Sequence, residues 1–354
     1  MKKTVSIVGA RPQFIKAFIT IKSLNKIKNV KNLLIHTGQH FDKSMSQIFF
    51  NELKFYKNII KINLKNKNQR LLKISEMISE IYLKLKKINP NLVIVYGDTD
   101  TTLAASIVSK RLNIKTMHIE SGLRSNVIEM PEEQNRYIAD YLSDYLIAPT
   151  INAYKNINEF KESKNIYNYG DVMYDSVKYY KKIVKQNSTK FKKKYKLKDY
   201  IFFSVHRDAN TDVKKIKFII NQISKINCTF FWPIHPKIKN IIINNNLSLP
   251  SNVISSSPIS YLESIAAINL SKFIVTDSGG IQKESYFMKK KCFVLRKETE
   301  WKELIKLNSV KLIDLNLLII EKSKKFLNSK IKKSSIYGDG NATEKIASLV
   351  KKII

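Results

Sequence analysis

Charged side chains stand directly after short apolar runs of this chain. Asp98 comes one glycine after the run Leu92–Tyr96, Glu120 follows the run Thr116–Ile119, and His206 follows a third run. Such runs are typical of buried parallel strands, and the ligands of open α/β sheets bind beyond the carboxyl ends of the strands. We therefore expect these side chains to bind or transform a ligand at those strand ends.

Three carboxylates, those of Asp98, Glu120 and Glu132, are expected at one sheet edge in a chain with only 29 Asp and Glu. Mutual repulsion would raise the pKa of one of them, which suits general acid–base catalysis. Asp98 and Glu132 could instead cap helices. Capping explains Glu120 less well, because Ser121 and Gly122 follow it at a strand end. The pattern favours proton transfer.

An anion site is predicted where the sequence TDSGGIQKE spans residues 276–284. A strand ends there, Gly279 and Gly280 let the backbone turn, and a helix begins with N–H groups and a dipole that favour negative charge. The GK[ST] ending of a Walker loop is missing. Arg296, after the next strand, would offer a diphosphate a bidentate partner. The alternative is a tight strand–helix turn that Asp277 caps.

A second strand–helix turn has the sequence GARPQFIK at residues 9–16. Arg11 and Lys16 would bring positive charge to the strand ends, or form an ion pair at the surface. The turn lacks GxGxxG, so no dinucleotide cofactor is expected. Metal binding is not expected either, because the two cysteines form no CxxC motif. His118 lies inside a strand, where a hydrogen-bonded core histidine is the simpler interpretation.

The formal charge of +34, from 63 Lys and Arg, raises the alternative of a basic protein that binds RNA or a membrane surface. The charge is spread along the whole chain, and Lys, Ile and Asn are all abundant, which favours compositional drift. No zinc-finger or RRM signature occurs. Apolar runs are far shorter than the ~20 residues of a bilayer span, and no apolar signal segment opens the sequence. We expect a cytoplasmic enzyme without nucleic-acid or membrane partners.

Arginine and glycine are scarce in this chain, so each one is informative. Where lysine serves as a plain positive charge, a retained arginine marks a site that needs a planar, bidentate group. A retained glycine marks a positive φ or a close approach of two backbones. The seven arginines are Arg11, Arg70, Arg111, Arg124, Arg136, Arg207 and Arg296.

The alternation of strands and helices predicts an α/β fold with two Rossmann-like domains built on parallel sheets. The first series of elements opens the chain, and a second series begins near residue 201. We expect an N-terminal domain at residues 1–168, a second domain with the anion site at residues 169–340, and a C-terminal helix at residues 341–354. The charged residues of both domains would line a cleft between them.

Eleven short motifs, in order and with fitting spacing, resemble the non-hydrolysing UDP-N-acetylglucosamine 2-epimerase family. They are GARPQFIK (9–16), HTGQHFD (36–42), YGDTDTTLA (96–104), HIESGLRS (118–125), MPEEQNR (130–136), GDVMYDS (170–176), SVHRDANTD (204–212), PIHPK (233–237), TDSGGIQKE (276–284), ETEW (298–301) and YGDG (337–340). The resemblance implies a glycosyltransferase-B-like fold, a UDP-sugar substrate and a homodimer.

The resemblance also implies a reaction, in which UDP is eliminated to a glycal with a C1–C2 double bond and then added back with C2 inverted. The C2 proton is not acidic, so its removal must be coupled to the departure of UDP, which needs a base, an acid and support for the diphosphate. Proton transfer and stabilisation of the intermediate are assigned to Asp98, Glu120, Glu132 and His206. Leaving-group support is assigned to Arg11 and Lys16. The diphosphate is assigned to Ser278, Gly279 and Gly280, the ribose hydroxyls to Glu284 and a further contact to Arg296. The remaining binding residues, expected near the cleft, are Gln39, His40, Arg207 and His235.

Departures from the family pattern leave the substrate open. HRDAN replaces the common HRAEN at residues 206–210, and residues 65–72 lack the family's glycine-rich segment, so binding of a second, activating UDP-sugar is also open. ETEW, GARPQFIK and GDVMYDS are closer to the branch that acts on UDP-2,3-diacetamido-2,3-dideoxy-glucuronate. We expect conversion of UDP-N-acetylglucosamine to UDP-N-acetylmannosamine for surface polysaccharides. The alternatives are the diacetamido-uronate, a hydrolysing epimerase, and a glycosyltransferase of the same fold.

Overall fold

The computed structural model describes residues 1–39, 59–66, 69–160 and 165–354, so the predicted site residue His40 lies outside the described residues. The chain divides into two units, and each is described by itself. The first comprises Met1–Ser176 and Ser335–Ile354, and the second comprises Val177–Ser334.

A parallel sheet forms the centre of the first unit. In the part of the unit that is described, seven strands have the spatial order β3-β2-β1-β4-β5-β6-β7. They are β1 (Lys2–Val8), β2 (Val30–His36), β3 (Ile59–Lys61), β4 (Leu92–Tyr96), β5 (Thr116–Ile119), β6 (Tyr145–Ala148) and β7 (Ile166–Asn168). Every residue of β4 is buried, because helices cover both faces of a parallel sheet, which explains its unbroken apolar run.

Helices connect these strands, and several begin with residues that favour a helix start. Thr99 caps α3 by accepting a hydrogen bond from the Thr102 amide, and Pro131 opens α4 with Glu132 and Glu133 in the first turn. The helices are α1 (Arg11–Leu24), α2 (Arg70–Ile88), α3 (Asp100–Arg111), α4 (Pro131–Leu142), α5 (Ile151–Asn158) and α6 (Val172–Tyr195), which runs on into the second unit.

The second unit repeats the plan with a six-stranded parallel sheet of order β10-β9-β8-β11-β12-β13. Its strands are β8 (Ile201–Ser204), β9 (Phe230–Pro233), β10 (Val253–Ser256), β11 (Ile274–Thr276), β12 (Cys292–Val294) and β13 (Val310–Leu312). Its further helices are α7 (Val213–Ser224), α8 (Pro236–Asn244), α9 (Tyr261–Leu270), α10 (Gly279–Phe287), α11 (Lys302–Lys306) and α12 (Lys324–Asn328). Aromatic side chains fill its core, where the rings of Phe203 and Trp232 pack edge to face 4.9 Å apart.

The chain end returns to the first unit as α13 (Ala342–Ile353). The Asp171 amide donates to the Tyr337 carbonyl at 3.0 Å, and the buried Asp175 carboxylate accepts from the Thr343 amide at 2.7 Å. These hydrogen bonds draw residues 169–176 and 335–354 into the first unit, whereas the sequence places the domain boundaries at residues 168 and 340.

Two parallel sheets with alternating helices confirm the predicted α/β class of two Rossmann-like units. In the described part of the chain, no helix is both long enough and apolar enough to span a bilayer.

Candidate active site

A buried ion pair lies where β5 ends. The carboxylate of Glu120 contacts the ammonium group of Lys16 on α1, and only 9% and 8% of the two side chains are exposed. Glu120 has a φ of 71°, a left-handed conformation that is uncommon for a residue with a side chain and that clusters at functional sites. A Cβ atom on Gly97 would lie 3.3 Å from Glu120 Oε2, so the pair also borders the end of β4.

Asp98 lies after β4, and Arg136 of α4 holds its side chain. Arg136 Nε and Nη2 both donate to Asp98 Oδ2, at 2.9 and 2.5 Å, and Nη1 donates to Glu133 Oε2 at 2.7 Å. Burial disfavours the charged guanidinium, but the negative charges of Asp98 and Glu133 outweigh it and raise the pKa of Arg136. Asp98 therefore lies in a fixed, positively charged setting at the strand end.

The two neighbouring glutamates of α4 differ in their surroundings. Glu133 is fully buried, whereas Glu132, the predicted catalytic residue, is exposed at the start of the helix. The hydrogen bond with Asp100, and to a smaller extent the charge of Glu132, raise the pKa of Arg70. The described contacts bring Asp98 and Glu120 to the ends of adjacent strands, and the catalytic role of Glu132 stays a prediction.

Gln13 braces the turn that carries Arg11 and Lys16. Its Oε1 accepts from the Gly9 amide at 2.8 Å, and its Nε2 donates to the Tyr96 carbonyl at 2.7 Å. The side chain is almost completely buried, so it ties the β1–α1 turn to the end of β4. Arg11 is half-buried as the first residue of α1.

Gln39, a predicted binding residue, contacts the start of α3. Its Oε1 accepts from the Thr101 hydroxyl at 2.7 Å and from the Thr101 amide at 3.0 Å. Gly9 lies against the same hydroxyl, because a Cβ atom there would be 2.1 Å from Thr101 Oγ1. The described site residues of the first unit thus share one edge of its sheet.

Asp277 organises the corresponding edge of the second unit. Its buried carboxylate accepts from the His206 amide at 3.1 Å, the Arg207 amide at 3.0 Å and Asn210 Nδ2 at 3.1 Å. The ring of His206 lies 6.4 Å from that of His235, which caps α8 by accepting from the Lys237 amide. The strand-end loops after β8 and β11 are therefore held together.

The start of α10 has the geometry predicted for an anion site. Ser278 is the N-cap, Gly279 and Gly280 are the first two helical residues, and Glu284 is nearly buried one turn later. A Cβ atom on Gly279 would lie 2.2 Å from Glu300 Oε1, so a larger residue there would displace the Glu300 side chain. Helix N-termini of this kind bind phosphate through backbone N–H groups.

Two arginines of the second unit share the charge of Glu300. Arg296 Nη1 donates to Glu300 Oε2 at 2.7 Å. Burial disfavours the charged Glu300 carboxylate, but Arg296 and, more weakly, Arg207 outweigh this effect and lower the pKa of Glu300. Since Glu300 also borders Gly279, Arg296 lies at the start of α10, and Arg207 is near enough for its charge to act on Glu300.

Sequence reasoning missed several residues that hold the site. Gln13, Glu133, Asn210 and Glu300 lie inside the eleven motifs, but their residue types gave no signal that they, rather than their neighbours, hold the site. Arg136 did give one, since the scarcity of arginine marks it. Within the described residues, no group of three or more His, Cys, Asp or Glu side chains is arranged to hold a metal ion.

Comparisons with known proteins agree over almost the whole chain. The sequence model of a family described as UDP-N-acetylglucosamine 2-epimerase matches residues 22–351. The UDP-N-acetylglucosamine 2-epimerase homolog of Methanococcus maripaludis is 37% identical, over 99% of this chain and 100% of its own length. The UDP-2,3-diacetamido-2,3-dideoxy-D-glucuronate 2-epimerase of Pseudomonas aeruginosa is 36% identical, over the same shares of the two chains.

A solved structure has a similar fold. The Methanocaldococcus jannaschii UDP-GlcNAc 2-epimerase in complex with UDP-GlcNAc and UDP superposes with a TM-score of 0.90. The two sequences are 31% identical, and the similarity covers 99% of this chain and 100% of that chain.

Proposed function

The chain belongs to the UDP-N-acetylglucosamine 2-epimerase family, and from this premise we propose that it converts UDP-N-acetylglucosamine to UDP-N-acetylmannosamine. The protein is then an isomerase that eliminates UDP and adds it back with C2 inverted. The observation that carries the proposal is the buried pair of Glu120 and Lys16 at the end of β5, with Asp98 after the adjacent strand β4. It supplies a carboxylate and an ammonium group at one strand end, as coupled proton and diphosphate departure requires.

The first unit supplies most of the proton-transfer residues in this proposal, and the second unit supplies His206. One carboxylate of Asp98 and Glu120 removes the C2 proton, and Glu132 and His206 assist in proton transfer or stabilise the glycal. Lys16 and Arg11 stabilise the negative charge that develops on the departing diphosphate, because they are held at the amino end of α1. Gln39 and His40 complete the substrate contacts.

The second unit binds the nucleotide. Ser278, Gly279 and Gly280 offer the start of α10 to the diphosphate, with Arg296 as an additional partner. Glu284 accepts hydrogen bonds from the ribose hydroxyls, and Arg207 and His235 make further contacts. The N-cap position of Ser278 and the lack of space at Gly279 support this assignment.

A second candidate substrate is UDP-2,3-diacetamido-2,3-dideoxy-glucuronate. The observation that favours it is the 36% identity to the Pseudomonas aeruginosa enzyme of that name, which is close to the 37% of the other relative. Either product would supply surface-polysaccharide synthesis, which we propose for the cytoplasm. We also propose a homodimer, which the exposed apolar side chains of α2 and α4 support.

Proton NMR in D₂O with each UDP-sugar, and without acceptor, tests the function. We expect deuterium at C2 together with the second epimer, and faster exchange identifies the preferred sugar. Glu120→Gln should slow exchange at least ~100-fold, the scale of lost acid–base catalysis, while UDP binding by calorimetry changes little. Glu159→Gln, an exposed glutamate on the first unit, is the matched control. Release of free sugar would indicate a hydrolase, and no exchange with UDP bound would indicate a transferase.

A further inference from the structure

One ion pair ties together the two loops that carry the candidate proton-transfer residues. Glu133 of α4 accepts hydrogen bonds from the backbone amides of Ser125 and Asn126, each at 3.0 Å. These amides belong to the loop that follows Glu120. Through Arg136, the same Glu133 is joined to Asp98 in the loop after β4.

Glu133 is built as a fixed anchor and not as a reactive group. Its side chain has no exposed surface. Burial opposes its charge, but hydrogen bonds from Ser125, Arg136 and Asn126 outweigh burial and lower its pKa. A buried carboxylate with three partners keeps one orientation, because any other would leave charge unpaired in the interior.

Arg136 passes this orientation on to Asp98. Two of its N–H groups converge on the single atom Asp98 Oδ2, so the Asp98 carboxylate cannot turn without losing both. The Arg136 side chain is 11% exposed, whereas 31% of the Asp98 side chain is exposed. Arg136, the more buried residue, therefore holds the contact in place, and Asp98, the more exposed residue, is the group that a substrate can reach.

Asn135 supports the backbone of the same loop. Its Nδ2 donates to the Asp98 carbonyl at 2.9 Å and to Asp100 Oδ1 at 3.1 Å. Asn135 and Arg136, neighbours on α4, thus both contact the loop after β4, and the main chain and side chain of Asp98 are held from the same helix.

We propose that Glu133 and Arg136 are positioning residues that set the direction of the Asp98 carboxylate relative to the loop of Glu120. The inference rests on the proposed function, since it assigns a task to Asp98 in proton transfer. It predicts that these two residues act on the rate of the chemical step and hardly on binding. A shift of about 1 Å in a reacting group costs on the order of 10²-fold in rate.

Arg136→Lys tests the proposal, because lysine keeps the charge but cannot reach both carboxylates as the planar guanidinium does. We expect kcat for C2 exchange to fall about 100-fold, while KM and the Kd for UDP stay within twofold. Arg111→Lys, at an exposed arginine of α3, is the matched control and should keep wild-type kcat. The proposal would be overturned if kcat for Arg136→Lys stayed within threefold of wild type, or if the loss of activity came from a higher KM.

A double-mutant cycle separates positioning from a general structural role. In an Asp98→Asn background, whose own rate is reduced, Arg136→Lys should cause less than a threefold further loss, because the residues act as one unit. Full additivity of the two losses would contradict positioning. Glu133→Gln should reproduce the kcat effect, and thermal unfolding with UDP present reports folding independently. Wild-type protein without exchange would instead refute the proposed function.

Discussion

A buried network supports the loop of Glu120 from behind. His118 Nδ1 lies 2.7 Å from Asp140 Oδ1, and Arg124 Nη2 lies 2.8 Å from Asp140 Oδ2. His118 Nε2 donates to the Gly97 carbonyl at 2.7 Å, so the prediction of a hydrogen-bonded core histidine is confirmed. Burial disfavours charge on Asp140, but His118 and Arg124 outweigh it and lower the pKa of Asp140.

Asp140→Asn should destabilise the fold most strongly near neutral pH. A carboxylate whose pKa is lowered by folding contributes stability above the ordinary Asp value of about 3.9, and this is lost as pH falls through the lowered pKa. Removing one partner of a buried pair costs about 3–5 kcal/mol. Urea unfolding between pH 3 and 7 should therefore show a difference in unfolding free energy that narrows below about pH 4. A constant difference would contradict this account.

Asp175 provides the opposite case as a control. Burial raises its pKa in spite of the hydrogen bonds from Thr343 and Ala342. Its contribution to stability is then complete below the ordinary Asp value and is lost as pH rises through the raised pKa. Asparagine resembles the protonated carboxyl, so Asp175→Asn should match wild type most closely at low pH and become more stable relative to it as pH rises. This is opposite in sign to Asp140→Asn, and the same urea series measures it.

At the residue scale, the sequence is a good guide to which residue types carry chemistry. It is a poorer guide to which of two neighbouring side chains is buried. Glu132 and Glu133 are neighbours, and one helical position rotates a side chain by about 100°. Only the packing of α4 shows that Glu133 is the buried one. Arg136 could be recognised as special because arginine is scarce, but its two carboxylate partners are set by tertiary contacts.

At the scale of elements, most central strands could be predicted, whereas the central strand β6 and the edge strands could not. β4 and β5 agree at both ends with the apolar runs from which they were predicted. In the described sheets the edge strands are β3, β7, β10 and β13, none of which is predicted. The four-residue central strand β5 is buried throughout and reads as an apolar run, whereas each edge strand pairs with one neighbour and is only partly buried, so its sequence has no such run.

The turn between β1 and α1 requires glycine for lack of space. A Cβ atom on Gly9 would lie 2.1 Å from Thr101 Oγ1 and 2.4 Å from Thr37 Oγ1. Gly9→Ala should therefore lower the unfolding free energy by about 1–3 kcal/mol, as overpacking does. Urea unfolding measures the loss.

Gly280→Ala is the control for this turn, because its Cβ atom would meet only Ser278 Oγ, at 4.0 Å. Gly280 lies inside α10, so alanine should leave stability unchanged or raise it by about 0.5–1 kcal/mol. Equal losses for the two variants would show that crowding at Gly9 is not the cause.

At the scale of the whole molecule, the alternation of elements was sufficient to predict two α/β units, but not where the chain changes unit. The final helix α13 belongs to the first unit, and the contacts that hold it there join residues more than 160 positions apart, such as Asp175 and Thr343. Local sequence patterns carry no information about such contacts. The +34 charge was equally uninformative about function, since it follows the abundance of lysine.

The proposed homodimer makes a prediction about the surface of α2 and α4. Both helices pack against α3, and they expose large apolar side chains, with Leu83 56% and Tyr141 68% accessible. Exposed apolar surface of this kind is a candidate interaction site. A second copy of the chain fits it, because a twofold dimer buries the same patch of both subunits.

Light scattering after size exclusion should give twice the 41.1 kDa of the chain. Leu83→Glu combined with Tyr141→Glu should shift the mass to one chain, because each charge would be buried without a partner. Ile243→Glu, at a residue of α8 that is 59% exposed in the second unit, should leave the mass unchanged. A wild-type monomer would refute the dimer, and a dimer that survives the double substitution would move the interface away from α2 and α4.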